Sequence, residues 1–185
     1  MKKRFVLILL LLAQFLVFSF SLACFVDSTL PMKKRTVLGK YVMAGQAFEK
    51  YSQDPARVHI LDVRTLGEYV FVGHPPMAVN IPLLFLKPGI TLMNRPVMAA
   101  NENFVAQVME RFRKTDTILA ICRSGGRSAA AVNTLAKAGF TAVYTITDGF
   151  EGDRDNNGER TVNGWKNSGA PWTTTLDSSL VYKGF

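Results

Sequence analysis

The chain has 185 residues, 48% of them hydrophobic, a formal net charge of +8 and two cysteines. That length holds one domain with a real core, and two cysteines are too few for a disulfide-stapled scaffold. The only basic run, Lys33-Lys34-Arg35, lacks interleaved aromatics; this argues against nucleic acid and leaves a mild positive field suited to small anions.

The N-terminus carries the first clear signal. Lys2, Lys3 and Arg4 precede an apolar stretch from Phe5 to Phe18 broken only by Gln14, and Ser21-Leu22-Ala23 puts small residues at the −3 and −1 positions of a cleavage site. This is the layout of a secretory signal peptide over residues 1–23. The alternative is an uncleaved anchor, since the stretch extended to Phe25 matches the roughly 20 residues that span a bilayer. Either way the folded domain is expected to be periplasmic or otherwise exported. Three of the positive charges lie in that segment, leaving +5 for the remainder. Cys24 follows the cleavage site directly and is a candidate for lipidation, although Ser21 stands where bacterial lipoproteins usually carry Leu. Membrane contact is therefore expected only through this segment, if uncleaved, or through a lipid on Cys24.

Residues 24–40 show no period and read as a tail. Tyr41-Val42 predicts a short strand, and Ala44 to Ser52 a helix with Ala47, Phe48 and Tyr51 on one side, broken by Asp54-Pro55. Val58 to Val63 predicts a buried strand. Thr65 to Tyr69 predicts a helical turn, with Thr65 and Glu68 at capping-box spacing. Gly73-His74-Pro75-Pro76 forces a turn, and Ala78 to Ile81 is another short strand stopped by Pro82. Residues 83–101, with Pro88-Gly89 and Pro96, predict an irregular excursion. Asn103 to Lys114 predicts a helix with Phe104, Val105, Val108 and Phe112 as its apolar stripe. Thr117 to Ile121 is the most strand-like run and leads into Cys122. Ser128 to Ala138 predicts a helix ended by Gly139, and Ala142 to Ile146 a last strand. This alternation argues an α/β fold, a central parallel β-sheet with helices on both faces. Ligands bind at the carboxyl ends of such strands, where Cys122 lies.

Cys122-Arg123-Ser124-Gly125-Gly126-Arg127-Ser128 joins a strand to a helix. The two glycines permit positive φ and inward-turned amides, which form an anion nest. The helix N-terminus and the two arginines add positive charge. All of these stabilise a thiolate, and the same cradle suits an oxyanion such as thiosulfate. Cys122 is thus the candidate nucleophile, with Arg123, Ser124, Gly125, Gly126, Arg127 and Ser128 as candidate substrate-binding residues.

This loop resembles the active-site loop of single-domain rhodaneses. Leu61-Asp62-Val63-Arg64, Glu68-Tyr69, Gly73-His74 and Ala78-Val79-Asn80-Ile81-Pro82 resemble the family's N-terminal signature, and Asp148-Gly149-Phe150 with Trp165, Gly169 and Pro171 its ending. The family often has a Gly-Gly pair near the first of these endings, with its Trp a few residues later. The resemblance covers roughly residues 40–172. It implies a rhodanese-like domain over 41–175 with a C-terminal tail over 176–185, and a catalytic Cys122 that cycles through a persulfide without a cofactor. It also implies a small anionic sulfur donor, a thiophilic acceptor and an optional partner sulfur-carrier protein. Asp62 and Arg64 are read as ties of the fold, and His74 as structural.

Two other readings compete. Cysteine phosphatases and arsenate reductases of related fold place Arg six residues after Cys, whereas here Arg127 stands five after and position 128 is Ser. A binding module that hands a persulfide to a partner is the second. One departure from the family is the segment Glu151 to Gly164. Asp153, Asp155, Asn157 and Gly158 match the first half of a calcium loop, but its twelfth position is Gly164 rather than Glu. A solvated surface loop without metal is expected there.

Overall fold

A computed structural model describes residues 29–184; residues 1–23, for which a signal peptide is expected, and Cys24 lie outside the described residues. Among the described residues these strands and α-helices follow in order: β1 (Tyr41–Val42), α1 (Ala44–Gln53), β2 (Val58–Asp62), β3 (Val79–Asn80), β4 (Leu84–Ile90), β5 (Pro96–Ala100), α2 (Phe104–Arg111), β6 (Thr117–Ile121), α3 (Gly126–Lys137) and β7 (Val143–Ile146). Five strands form one parallel sheet in the order β1-β7-β6-β2-β3. The fold is α/β, a central parallel sheet flanked by helices.

Side-chain alternation along β6 sorts the core into two layers. Ile118, Ala120 and Cys122 join Leu61, Phe104, Val108, Phe112, Ala131, Val132 and Leu135, so α2 and α3 cover one face. Leu119 and Ile121 join Ile60, Ala44, Ala47, Tyr69, Ile146, Phe150 and Trp165, so α1 and the region around Trp165 cover the other. Cys122 therefore continues the α2/α3 side of β6, one residue beyond the register pair Asp62–Ile121 at the strand ends.

Three regions differ from the sequence expectation. Residues 83–101 are not irregular: β4 and β5 pair antiparallel as a two-stranded ribbon. The proline at position 88 and the bulge between Lys87 and Ile90 mask its alternation. The second half of the segment read as a tail is ordered. A 3₁₀ turn at Met32–Lys34 packs on α3, with Lys34 and Thr36 buried, and Asn133 Oδ1 accepts the Val37 N–H. The C-terminal segment is also tied down, because Asn80 N–H donates to the Leu180 carbonyl and Tyr182 packs on Phe85. Contacts made by the chain ends to distant residues leave no local period.

Asp62 and Arg64 form a fully buried ion pair, with Arg64 Nη2 2.5 Å from Asp62 Oδ2. Arg64 also donates to the Gly73 carbonyl and lies 4.1 Å from the centre of the Phe150 ring. A buried pair needs such further partners to offset its desolvation. His74 is buried, takes part in a bond to the Tyr69 carbonyl through Nδ1 and stacks on the Tyr69 ring. Both are fold ties.

Candidate active site

β6 delivers Cys122 to the carboxyl end of the sheet, and α3 starts four residues later at Gly126. Of the two loop glycines only Gly125 has positive φ, at 95°. Gly126 is the first helical residue. This corrects the expectation that both glycines supply left-handed backbone.

The turn at Gly125 points its N–H at the sulfur, 3.2 Å from Cys122 Sγ. Ser128 Oγ lies 3.5 Å from the same sulfur. Ser128 in turn donates to the Gly125 carbonyl at 3.0 Å and shares a hydrogen bond with Thr145 Oγ1 at 2.9 Å. One backbone amide at a helix N-terminus donates to the sulfur, and the thiol in turn donates to the Ser128 hydroxyl; the amide and the helix N-terminus favour negative charge there. Cys122 is only 1% exposed. The loop is clamped from behind: Phe150 N–H donates to the Cys122 carbonyl at 2.7 Å and Glu151 N–H to the Arg123 carbonyl at 3.0 Å.

The two arginines differ. Arg123 is half-exposed and pairs with Glu151 at 3.2 Å. Arg127 is engaged bidentately, with Nη1 2.6 Å from Glu68 Oε2 and Nη2 2.5 Å from Oε1. Glu68 Oε2 also accepts from Thr65 N–H and Thr65 Oγ1, so the capping box and the ion pair share one carboxylate. Ser124 lies in the loop with its N–H side packed against Gly149, where a Cβ would stand 2.6 Å from Ser124 N.

Burial opposes the charge on Glu68, but the Arg127 hydrogen bonds and attraction and the Thr65 bonds outweigh it, lowering its pKa from 4.5 to about 2. Burial likewise opposes the charge on Arg127, and the Glu68 bonds outweigh it, with smaller contributions from charge at Cys122 and Asp62; the Arg127 pKa is raised. Because the folded value of Glu68 lies below its unfolded one, its contribution to stability is full above pH 4.5. It is lost as pH falls toward about 2. It amounts to about 2–3 kcal/mol. Glu68→Gln is expected to lower stability near neutral pH by about that amount and to flatten the acid limb between those two values. Denaturant titrations over that pH range check this, and an unchanged acid limb would show that the pair contributes no net stability.

Sequence reasoning placed all seven loop residues in one turn but missed three neighbours. Glu68 was visible only as a helix cap, and its contact with Arg127 spans 59 positions. Glu151 was read within a surface segment, yet it pairs with Arg123. Lys34, in the segment read as tail, reaches the loop: a Cβ on Gly125 would lie 3.2 Å from its Cδ, and its Nζ pairs with Asp153 at 3.3 Å. The other oxygen of Asp153 accepts from Asn163, and Asp155 accepts from Asn157, Glu159 and Thr161. Among the described residues no group of three or more His, Cys, Asp or Glu is placed to hold a metal ion. A groove of about 380 Å³ between α2 and residues 180–184 contains no residue of the Cys122 loop.

Comparison with known proteins places the fold. Residues 46–155 match the Rhodanese-like domain family. The chain is 32% identical to Rhodanese-like domain-containing protein 15, chloroplastic, of Arabidopsis thaliana, over 67% of this chain and 69% of that protein. It is 39% identical to Thiosulfate sulfurtransferase 16, chloroplastic, of the same plant, over 49% of this chain and 68% of that protein. Among solved structures, that of Rv0390 from M. tuberculosis superposes with a TM-score of 0.60 and 31% identity, covering 72% of this chain and 96% of that one.

Proposed function

The chain belongs to the rhodanese-like domain family, a sulfurtransferase superfamily, and from that premise we propose that it moves sulfane sulfur from thiosulfate or a related donor to a thiophilic acceptor through a persulfide on Cys122. The observation that carries the reading is the Gly125 N–H directed at Cys122 Sγ from the N-terminus of α3. The thiolate is the nucleophilic form of cysteine, and a helix N-terminus favours it. Similarity to a protein named as a thiosulfate sulfurtransferase supports thiosulfate as the donor.

The step balances without a cofactor. The Cys122 thiolate attacks the outer sulfur of thiosulfate, a new S–S bond forms, the old one breaks, and sulfite leaves with its electron pair. The terminal sulfur of the persulfide carries the negative charge, in a loop whose Gly125 N–H donates to Cys122 Sγ. The acceptor then attacks that sulfur and releases the thiolate. Arg127, already held by Glu68, lends positive charge to the site rather than wrapping an anion, and Arg123 at the rim meets the incoming donor. Export by the N-terminal segment would put this chemistry outside the cytoplasm.

Intact mass measurement after thiosulfate treatment is expected to show the gain of one sulfur atom, removed by cyanide with formation of thiocyanate. Aryl phosphate hydrolysis is expected to be negligible, since Arg127 stands five residues after Cys122 and its guanidinium is occupied by Glu68. Phosphatase activity without sulfur loading would overturn the proposal.

A further inference from the structure

The ribbon β4–β5 has a tip built to display apolar side chains. Thr91 N–H donates to the Arg95 carbonyl at 2.7 Å and Asn94 N–H to the Thr91 carbonyl at 2.9 Å, closing the turn. Ile90 precedes that turn and Leu92 and Met93 lie at its apex, exposed by 72%, 106% and 79%. A soluble surface gains nothing from three adjacent large apolar residues held in water by an ordered turn. Lys87 and Arg95 flank them, and residues 83–101 contain no Asp or Glu.

The ribbon leaves the same end of the sheet as the Cys122 loop. Leu83 N–H donates to the carbonyl of Val63, just past the end of β2, and Asn101 closes the base by donating to the Leu83 carbonyl. The N-terminal segment reaches that end too, because Lys33 and Lys34 pack against Gly125 and Gly126. Between Cys24 and Pro31 the chain can reach at most about 25 Å, so an N-terminal anchor would hold this end of the domain near a membrane.

We propose that the ribbon is a bilayer-contact element, inserting Leu92 and Met93 at the surface of an anionic membrane while Lys87 and Arg95 meet the headgroups. Apolar tip plus flanking cations is the chemistry that such an interface rewards. The tether part of the argument rests on the export reading of residues 1–23; the ribbon part stands on its own residues. The contact goes beyond the N-terminal segment as the sole route to a membrane, and it turns the Cys122 end of the sheet toward the lipid.

The test uses the full chain with vesicles of phosphatidylglycerol and phosphatidylethanolamine containing brominated acyl chains. Leu92→Cys, and Gln53→Cys at the opposite end of the sheet, are each made in a Cys24→Ser/Cys122→Ser background and labelled with an environment-sensitive fluorophore. The probe at position 92 is expected to shift to the blue and be quenched, the probe at 53 to do neither, and Lys87→Glu/Arg95→Glu to abolish the response. Co-sedimentation with equal signals at both positions, or with no response at 92, overturns the ribbon proposal while leaving the N-terminal anchor standing. A chain that stays in the supernatant, whether residue 24 is Cys or Ser, overturns both. A dimer forming without vesicles and burying the probe at 92 assigns the ribbon to a second copy, and also overturns it.

Discussion

Replacing Cys122 by serine is expected to abolish sulfur transfer while leaving the fold intact. Both partners of the sulfur, the Gly125 N–H and the Ser128 hydroxyl, can serve a serine oxygen equally well. The change exchanges sulfur for the smaller and less polarizable oxygen at the edge of an apolar cluster, and the two polar partners leave no orphaned polar group. The chemistry does not survive it. An alcohol is a weak nucleophile without a strong base beside it, and it forms no persulfide. Removal of a covalent nucleophile costs on the order of 10⁴-fold or more in rate. Thiosulfate-to-cyanide transfer and thermal melting, measured on the same preparation, check both halves. Cys24 is the only other cysteine, so Cys24→Ser is a clean control expected to retain full transfer. Residual transfer in Cys122→Ser that disappears with Cys24→Ser would relocate the chemistry and end the assignment of Cys122.

Gly125→Ala is expected to be among the most damaging single-methyl changes in the chain, and Gly126→Ala nearly harmless. At Gly125 the backbone is left-handed, and a Cβ would lie 2.1 Å from the Thr147 carbonyl oxygen and 2.8 Å from its carbon. Both are backbone atoms of the segment that follows β7, so they cannot swing away as a side-chain end would. Positive φ alone costs about 1–3 kcal/mol for a residue with a side chain. The collision raises the total to about 4 kcal/mol or more, the range reserved for specific structural damage. Any relief must lift the loop off Thr147 and withdraw the Gly125 N–H from Cys122 Sγ, so activity is expected to fall even in molecules that stay folded. At Gly126 the nearest atom to a Cβ is the Lys33 carbonyl at 4.0 Å, and the residue is helical. Alanine there is expected to be neutral or to stabilise by up to about 1 kcal/mol. Denaturant unfolding of the two variants, with transfer rates, checks the contrast. Equal effects would show that the loop does not depend on the geometry described at Gly125.

Much of this protein was legible in its residues. The apolar runs at Val58–Val63, Thr117–Ile121 and Ala142–Ile146 read as buried parallel strands because both faces of such a sheet are covered, and a local run of side chains records that directly. The position of Cys122, directly after one of those runs and just before a helix, follows from chain order alone. So does the gathering of Arg123, Ser124, Gly125, Gly126, Arg127 and Ser128 into one turn. The absence of a fifth intervening residue between Cys122 and Arg127 is also a matter of counting.

What tertiary structure alone decided is where the charges of that turn go. Local sequence placed Arg123 and Arg127 beside the sulfur; folding gave them to Glu151 and Glu68, from segments 28 and 59 positions away. It made Gly125 the left-handed residue and Gly126 the helical one, because Thr147 closes against the former. It ordered residues 31–40 over the loop and raised residues 84–100 into a ribbon. The ribbon was hidden by Pro88 and its bulge; the other three share one physical reason. Secondary structure is set by short-range side-chain patterns that the chain carries locally, whereas an ion pair, a backbone collision or the docking of a chain end depends on which distant atoms the packed sheet brings within a few ångströms.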